Sequence, residues 1–270
     1  MNRKSNVMLL LGMLALVAAT PGCSVVSNLR AKDNLNNGVR EFNKGKYEEA
    51  ERRFAKALEL DPGNANAQLF HARALNQKFE QSQTEDVGLK TLKAYEDIIS
   101  SSKDNPQATD QALAFMSGVY DKLAVINPEK AEEYKAKRRE TVLKRAELPS
   151  ATQQTKADVY YTLGHSYWDE AFQTSRPFTY ADGSLRQPIP ADVVQKLKPL
   201  VQKAHEYFQR AIKEKQDYAN AYFYEKLTYI QDAYLEPDPA RKKDMVAKQK
   251  EYQDKYVEIQ KRSQEAPSGS

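Results

Sequence analysis

The segment Asn34–Pro62 reads NLNNGVREFNKGKYEEAERRFAKALELDP and constrains this chain more than any other stretch. Gly38 falls inside a first helical span, at a point where only a small residue lets a partner helix approach. Gly45 and Tyr47 make a turn, and Ala50, Phe54 and Ala57 then recur at +4 and +7 on one helical face. Asp61-Pro62 ends the second span, because the residue before a proline is pushed out of the α region. The small Gly and Ala positions are holes, and Phe54 and Leu58 are knobs, so the pattern prescribes two interlocked helices.

The pattern recurs. A second pair opens at Ala65, with Ala72 at the small position, Leu75 and Phe79 continuing the stripe, and a second helix carrying Leu89, Leu92, Tyr95, Ile98 and Ile99. In a third, Leu113, Met116, Tyr120 and Leu123 line one helix. A charged helix, Glu129–Glu147, follows Asn127-Pro128, with Asn127 expected as its N-cap. A fourth places Tyr160, Leu163, Gly164 and Tyr167 on its first helix and Ala204, Phe208 and Ala211 on its second. Between them, Thr174–Pro190 holds Pro177, Asp182-Gly183, Pro188 and Pro190, which cannot continue a helix and must loop out. A fifth starts at Ala219, turns at Glu236-Pro237-Asp238-Pro239 with Asp238 as N-cap, and runs to about Arg262.

These segments resemble the tetratricopeptide repeat over about residues 33–262. The resemblance implies an all-α fold, a right-handed α-solenoid of about five helix pairs, near 33–62, 65–105, 107–148, 152–215 and 218–262. It implies also that the first helix of each pair lines a concave groove, where the family holds an extended peptide or a partner helix. Carried onto this sequence, the candidate groove residues are Phe42, then Leu69, Arg73 and Asn76, then Tyr161, His165, Trp168 and Asp169, and finally Phe223. Trp168 is the only tryptophan, and aromatic residues dominate binding hot spots. Its competing reading is a core residue filling the gap beside the interrupted hairpin. The family's carboxylate clamp uses Lys and Asn where Leu and Tyr stand here, so capture of a free C-terminal carboxylate is not expected.

The N-terminus reads as a targeting segment. Arg3 and Lys4 precede an uncharged apolar run, Val7–Ala19. At about 1.5 Å per residue that run is too short for a roughly 30 Å hydrocarbon core, so residues 1–22 are expected to be a secretory signal. Gly22-Cys23 within Thr20-Pro21-Gly22-Cys23-Ser24 resembles a bacterial lipobox, although Thr20 and Pro21 depart from it. Cys23 is the only cysteine, so it has no disulfide partner within the chain and is expected to carry a lipid. Residues 23–32 then serve as anchor and linker, and 263–270 as a polar tail. The resemblance of Ser24 to an outer-membrane sorting residue implies the periplasmic face of the outer membrane.

Arg3 and Lys4 leave with the signal, which lowers the formal net charge from +4 to +2 and gives no basis for nucleic-acid binding. His71, His165 and His205 lie on three separate helical spans, so no metal site is expected. Phosphate-binding glycine loops and nucleophile elbows are absent, and the carboxylates are spread over helix surfaces. The expectation is a non-enzymatic scaffold in the cell envelope with a protein partner, a lipid contact to the membrane, no cofactor and no small-molecule substrate. The alternatives are an outer-membrane assembly lipoprotein similar to the repeat component of the β-barrel insertion machinery, and a glycan-binding envelope protein. Burial of Tyr160 and Tyr222 would count against the last.

Overall fold

The computed structural model of this chain describes residues 21–102, 104–181 and 183–265. The secretory segment lies outside the described residues except for its last two positions, and so do the Cys23 side chain and residues 266–270. The described residues are α-helical apart from turns and one isolated bridge. The helices are α1 (Pro21–Asn43), α2 (Tyr47–Leu60), α3 (Ala65–Ser82), α4 (Glu85–Ser101), α5 (Pro106–Ile126), α6 (Ala131–Glu147), α7 (Gln153–Ser175), α8 (Ala191–Glu214), α9 (Ala219–Leu235) and α10 (Pro239–Glu265). Successive pairs form tetratricopeptide-like hairpins. None of these helices is long and apolar enough to cross a membrane. Two compact units are distinguishable, within Met1–Ala74 and Leu75–Ser270.

In the first unit, a Cβ added at Gly38 would stand 2.5–3.0 Å from atoms of the Phe54 ring, so the phenyl group fills the hole that the missing side chain leaves. Phe54 is fully buried between Ala50 and Ala57, and Phe70 stacks on it at 5.6 Å. Leu58, expected as a second knob, is only half-buried. Gly45 turns the hairpin at φ +74°, a left-handed conformation that side chains with a Cβ disfavour. The segment expected as a linker, 23–32, is instead the start of α1. Ala31 is buried there, and the Ser27 hydroxyl donates to the Leu60 carbonyl at 3.1 Å.

In the second unit, the interlock repeats at the interrupted hairpin. A Cβ on Gly164 would lie 2.7 Å from two Phe208 ring carbons. Phe208 is again fully buried, between Ala204 and Ala211. The 176–190 excursion therefore loops out of a hairpin whose packing it leaves intact. The outer face is braced by a ladder of rings and cations. Tyr167 stacks on Tyr207 at 5.8 Å and Tyr160 on Tyr207 at 6.4 Å, while Arg139 and Arg210 cap Tyr167 and Tyr160 at 4.2 Å.

Above this interlock, α7 and α8 are longer than the repeat requires. Their extra turns build a further apolar cluster in which Ala171, Leu197, Val201 and Leu235 are buried against Ile189, Val193, Val194 and Leu200. One local expectation changes. Asn127 makes no N-cap bond; its side chain donates back to the Leu123 carbonyl at 3.2 Å, closing α5, and a 3-10 turn, Pro128–Lys130, precedes α6. Asp238 does cap α10, accepting from the Ala240 N–H at 2.8 Å. The helix continues to Glu265, so the polar tail expected from 263 starts helical.

Candidate functional site

Along α7, Tyr161, His165, Trp168 and Phe172 are spaced by four, three and four residues, which places all four rings on one face. Over eleven residues at about 1.5 Å each the strip is about 16 Å long. The rings form a chain: Tyr161 to His165 at 6.0 Å, His165 to Trp168 at 5.9 Å, and Trp168 stacked on Phe172 at 5.2 Å. Tyr224 of α9 lies across it, edge-on to His165 at 4.6 Å and to Trp168 at 5.0 Å, and 5.8 Å from Tyr161. Tyr161, His165, Trp168 and Tyr224 are each half-buried, whereas Phe172 is 38% exposed. The strip is therefore supported from beneath and open above.

Burial sets the protonation of this face. It pushes the Tyr161 phenol up to about 12, helped by the adjacent Tyr224 hydroxyl, so Tyr161 stays neutral. Burial also holds the His165 imidazole below its ordinary value of 6.5, with Arg138 adding to that effect and Asp169 opposing it. The folded state thus binds this proton less readily than the unfolded chain. Stability from a neutral His165 is complete above about pH 6.5 and declines as pH falls toward the lower folded value. Between pH 7 and 5 the wild type should lose more thermal stability than His165→Phe, with an accompanying change in Trp168 emission. Parallel loss in both proteins would remove His165 from the account.

At the Phe172 end, the loop folds back over α7 and α9. Thr179 and Leu185 form an antiparallel bridge, the Tyr180 N–H donates to the Ser184 carbonyl at 2.8 Å, and the Arg186 N–H donates to the Phe178 carbonyl at 2.9 Å. Gly183 turns the loop at φ +82°, and its carbonyl accepts a hydrogen bond from the Tyr234 hydroxyl of α9. The half-open cavity measures about 440 Å³ and is walled by Trp168, Phe172, Tyr180, Leu227, Ile230 and Tyr234, with Arg176 among its lining residues. Two polar atoms of the lining residues are shut away behind the cavity wall. The Trp168 Nε1–H and the Gln231 Oε1 are buried without a hydrogen-bond partner, while the Gln231 amide nitrogen reaches the Trp168 carbonyl at 3.5 Å.

The remaining groove candidates fall elsewhere. Asp169 is exposed and accepts only a long bond from Gln173, at 3.4 Å. Phe223 does not join the strip: it packs against Tyr256 of α10 at 5.3 Å, with the Lys226 ammonium 4.3 Å above its ring. In the first unit, the Arg73 guanidinium lies 5.7 Å from both the Phe42 and Phe70 rings, and Leu69 is half-buried. Asn76, in the second unit, is half-buried as well. The residues missed in sequence reasoning are Tyr224, Phe172 and Tyr234, whereas Tyr180 was singled out with its loop. Phe172 continues the i, i+4 series from Trp168 and was findable on that ground.

The three histidines remain separate. His71 meets Glu51 at 3.4 Å, His165 sits among the rings, and His205 Nδ1 meets the fully buried Glu225 at 2.9 Å. Among the described residues, no three His, Cys, Asp or Glu side chains are grouped to hold a metal ion. Tyr160 is buried, and Tyr222 is half-buried, 6.0 Å from Tyr252, with its hydroxyl donating to the Gln216 carbonyl at 3.1 Å. Neither belongs to an exposed row of the kind that stacks on sugars.

No family model matches the chain, and no curated protein matches it. Among solved structures it is similar to MamA from Desulfovibrio magneticus RS-1, at 14% identity over 88% of this chain and 98% of that one, with a TM-score of 0.47. It is similar to YrrB, a TPR protein with an unusual peptide-binding site, at 15% identity over 88% and 90% of the two chains, with a TM-score of 0.41. A TPR repeats protein from Bacteroides fragilis NCTC 9343 matches at 15% identity over 76% and 97%, with a TM-score of 0.34. With every one of these superpositions below 0.5, the fold assignment rests on the Gly38–Phe54 and Gly164–Phe208 interlocks.

Proposed function

We propose that this protein is a non-catalytic scaffold of the bacterial cell envelope that holds an extended segment of a protein partner along the α7–α9 face. The observation that carries this reading is the ring strip Tyr161–His165–Trp168–Phe172, supported by Tyr224 and open on its outer side. Half-buried rings offer apolar contact area at little entropic cost, which is how interface cores are built. At about 3.3 Å per extended residue, a 16 Å strip matches about five residues of peptide. The envelope part of the proposal comes from the sequence alone, from the basic and apolar segment ahead of Gly22-Cys23. In it, Cys23 carries a lipid that holds the chain at the periplasmic face of the outer membrane.

One experiment covers both parts. Cells expressing wild type, Trp168→Ala or Cys23→Ala are labelled with a radioactive fatty acid, and the protein is then captured from envelope extracts with its partners. Label should appear in wild type and Trp168→Ala but not in Cys23→Ala. A discrete partner should be lost, by tenfold or more, only from Trp168→Ala. Equal labelling of wild type and Cys23→Ala would refute the anchor, and an unchanged partner set in Trp168→Ala would refute the strip.

A further inference from the structure

From the cavity beneath the 176–190 loop we infer a specificity pocket, which takes a large apolar side chain flanked by a carboxylate in the partner segment. The inference rests on the scaffold reading and names what the strip selects. The strip runs into the cavity: Trp168 and Phe172 are its last two rings and also two of the cavity walls. A ligand lying along α7 thus meets a half-open recess at one end. At about 440 Å³ the space lies within the range of ligand pockets and holds an aromatic side chain with its adjoining main chain.

Two observations indicate a site built to be occupied. Phe172 and Tyr180, 38% and 56% exposed, converge on this one cavity from different elements, although large apolar side chains left in water carry a cost. Moreover Gln231, nine-tenths buried, keeps an unpartnered carbonyl oxygen behind the cavity wall, and Trp168 an unpartnered indole N–H, neither atom facing the open space as it stands. An acceptor and a donor on neighbouring wall residues suit one peptide unit, whose N–H and C=O would pair with them once the side chains turn inward.

The charge preference comes from Arg176. Its side chain is among the lining residues and is exposed. Its planar guanidinium suits a carboxylate, and repels a lysine or arginine on the incoming segment. Together these features select an acidic–aromatic segment. The occupant is a protein segment rather than a free aromatic acid, because a free acid would leave most of the 16 Å strip uncovered.

The sole tryptophan makes the test specific, since intrinsic emission above 295 nm excitation reports from the strip itself. The full-length protein is titrated with acetyl-Glu-Phe-Glu-amide, acetyl-Lys-Phe-Lys-amide, acetyl-Glu-Ala-Glu-amide and 3-phenylpropionate. The first should bind at least tenfold more tightly than each of the others. Arg176→Gln should bring the Glu and Lys peptides within about twofold of each other, and Tyr180→Ala should weaken the Glu-Phe-Glu peptide about tenfold. Equal affinity for the two charged peptides in wild type would overturn the pocket, as would 3-phenylpropionate binding as tightly as the peptide. If no peptide binds while envelope capture still depends on Trp168, the pocket fails and the scaffold reading stands.

Discussion

Replacing Phe208 by alanine is expected to lower the stability of the Leu75–Ser270 unit by about 3–5 kcal/mol, the usual cost of emptying a buried phenylalanine site. The ring is fully buried and fills the hole at Gly164, so its removal leaves a cavity whose wall on the α7 side has no side chain able to collapse into it. The opposite change strains the same contact. A methyl group at Gly164 would lie 2.7 Å from Phe208 ring carbons, closer than real carbon atoms approach, and should cost about 1–3 kcal/mol through overpacking. Because each residue is shaped by the other, the combination G164A/F208L should cost less than the sum of its single changes. Urea denaturation followed by helical circular dichroism measures all five proteins: wild type, F208A, F208L, G164A and G164A/F208L. Additive losses would mean that the two residues do not interlock, and the tetratricopeptide-like description of this hairpin would fall with them.

That interlock was legible in the sequence because it needs only one small and one large residue at fixed helical phase. Gly38 with Phe54 and Gly164 with Phe208 repeat the arrangement even though a loop separates the second couple. Two prolines were equally plain, since Pro128 and Pro239 each stand at the first position of a helical element. The early turns of α8 were not legible. Their cluster joins Ala171, Leu197 and Leu235 from three helices, and no local spacing announces a contact made across such distances.

The site was half legible for a related reason. On α7 the rings share one phase, so Tyr161, His165 and Trp168 were found together. On α9, Tyr222, Phe223 and Tyr224 are consecutive, and the aromatic character runs around the helix. A one-residue error there rotates the face by about 100°. Phe223 was therefore assigned to the groove while it packs on Tyr256, and Tyr224 is the residue that meets Trp168. The loop's position depends on the Tyr234–Gly183 hydrogen bond, a tertiary contact between residues 51 apart, which no local pattern reveals.

His205→Ala is expected to destabilise the same unit by about 1–3 kcal/mol, the typical cost of leaving a buried polar group without its hydrogen-bond partner. Glu225, on α9, is fully buried. One of its oxygens is hydrogen-bonded to His205 Nδ1 at 2.9 Å and accepts from the Gln209 amide at 3.1 Å, while the other has no hydrogen-bond partner. Removing the imidazole withdraws a hydrogen-bond partner from that buried carboxyl group, and Asp232, 3.8 Å from His205 Nε2, loses its neighbour at the same time. The unsatisfied carboxyl group, rather than the packing volume, is what makes the loss large. Replacing both members of the pair, as in H205L/E225L, should consequently restore most of the stability or exceed it, because an apolar couple carries no desolvation penalty. The effect should reach the strip, since Tyr224 precedes Glu225 on α9 and stands edge-on to Trp168. In His205→Ala the emission of Trp168 should shift toward that of a solvated indole at urea concentrations below the main transition, and in H205L/E225L it should not. If the single and double variants lose the same stability, His205 is acting as a space-filling ring, and the buried carboxylate is held by Gln209 alone.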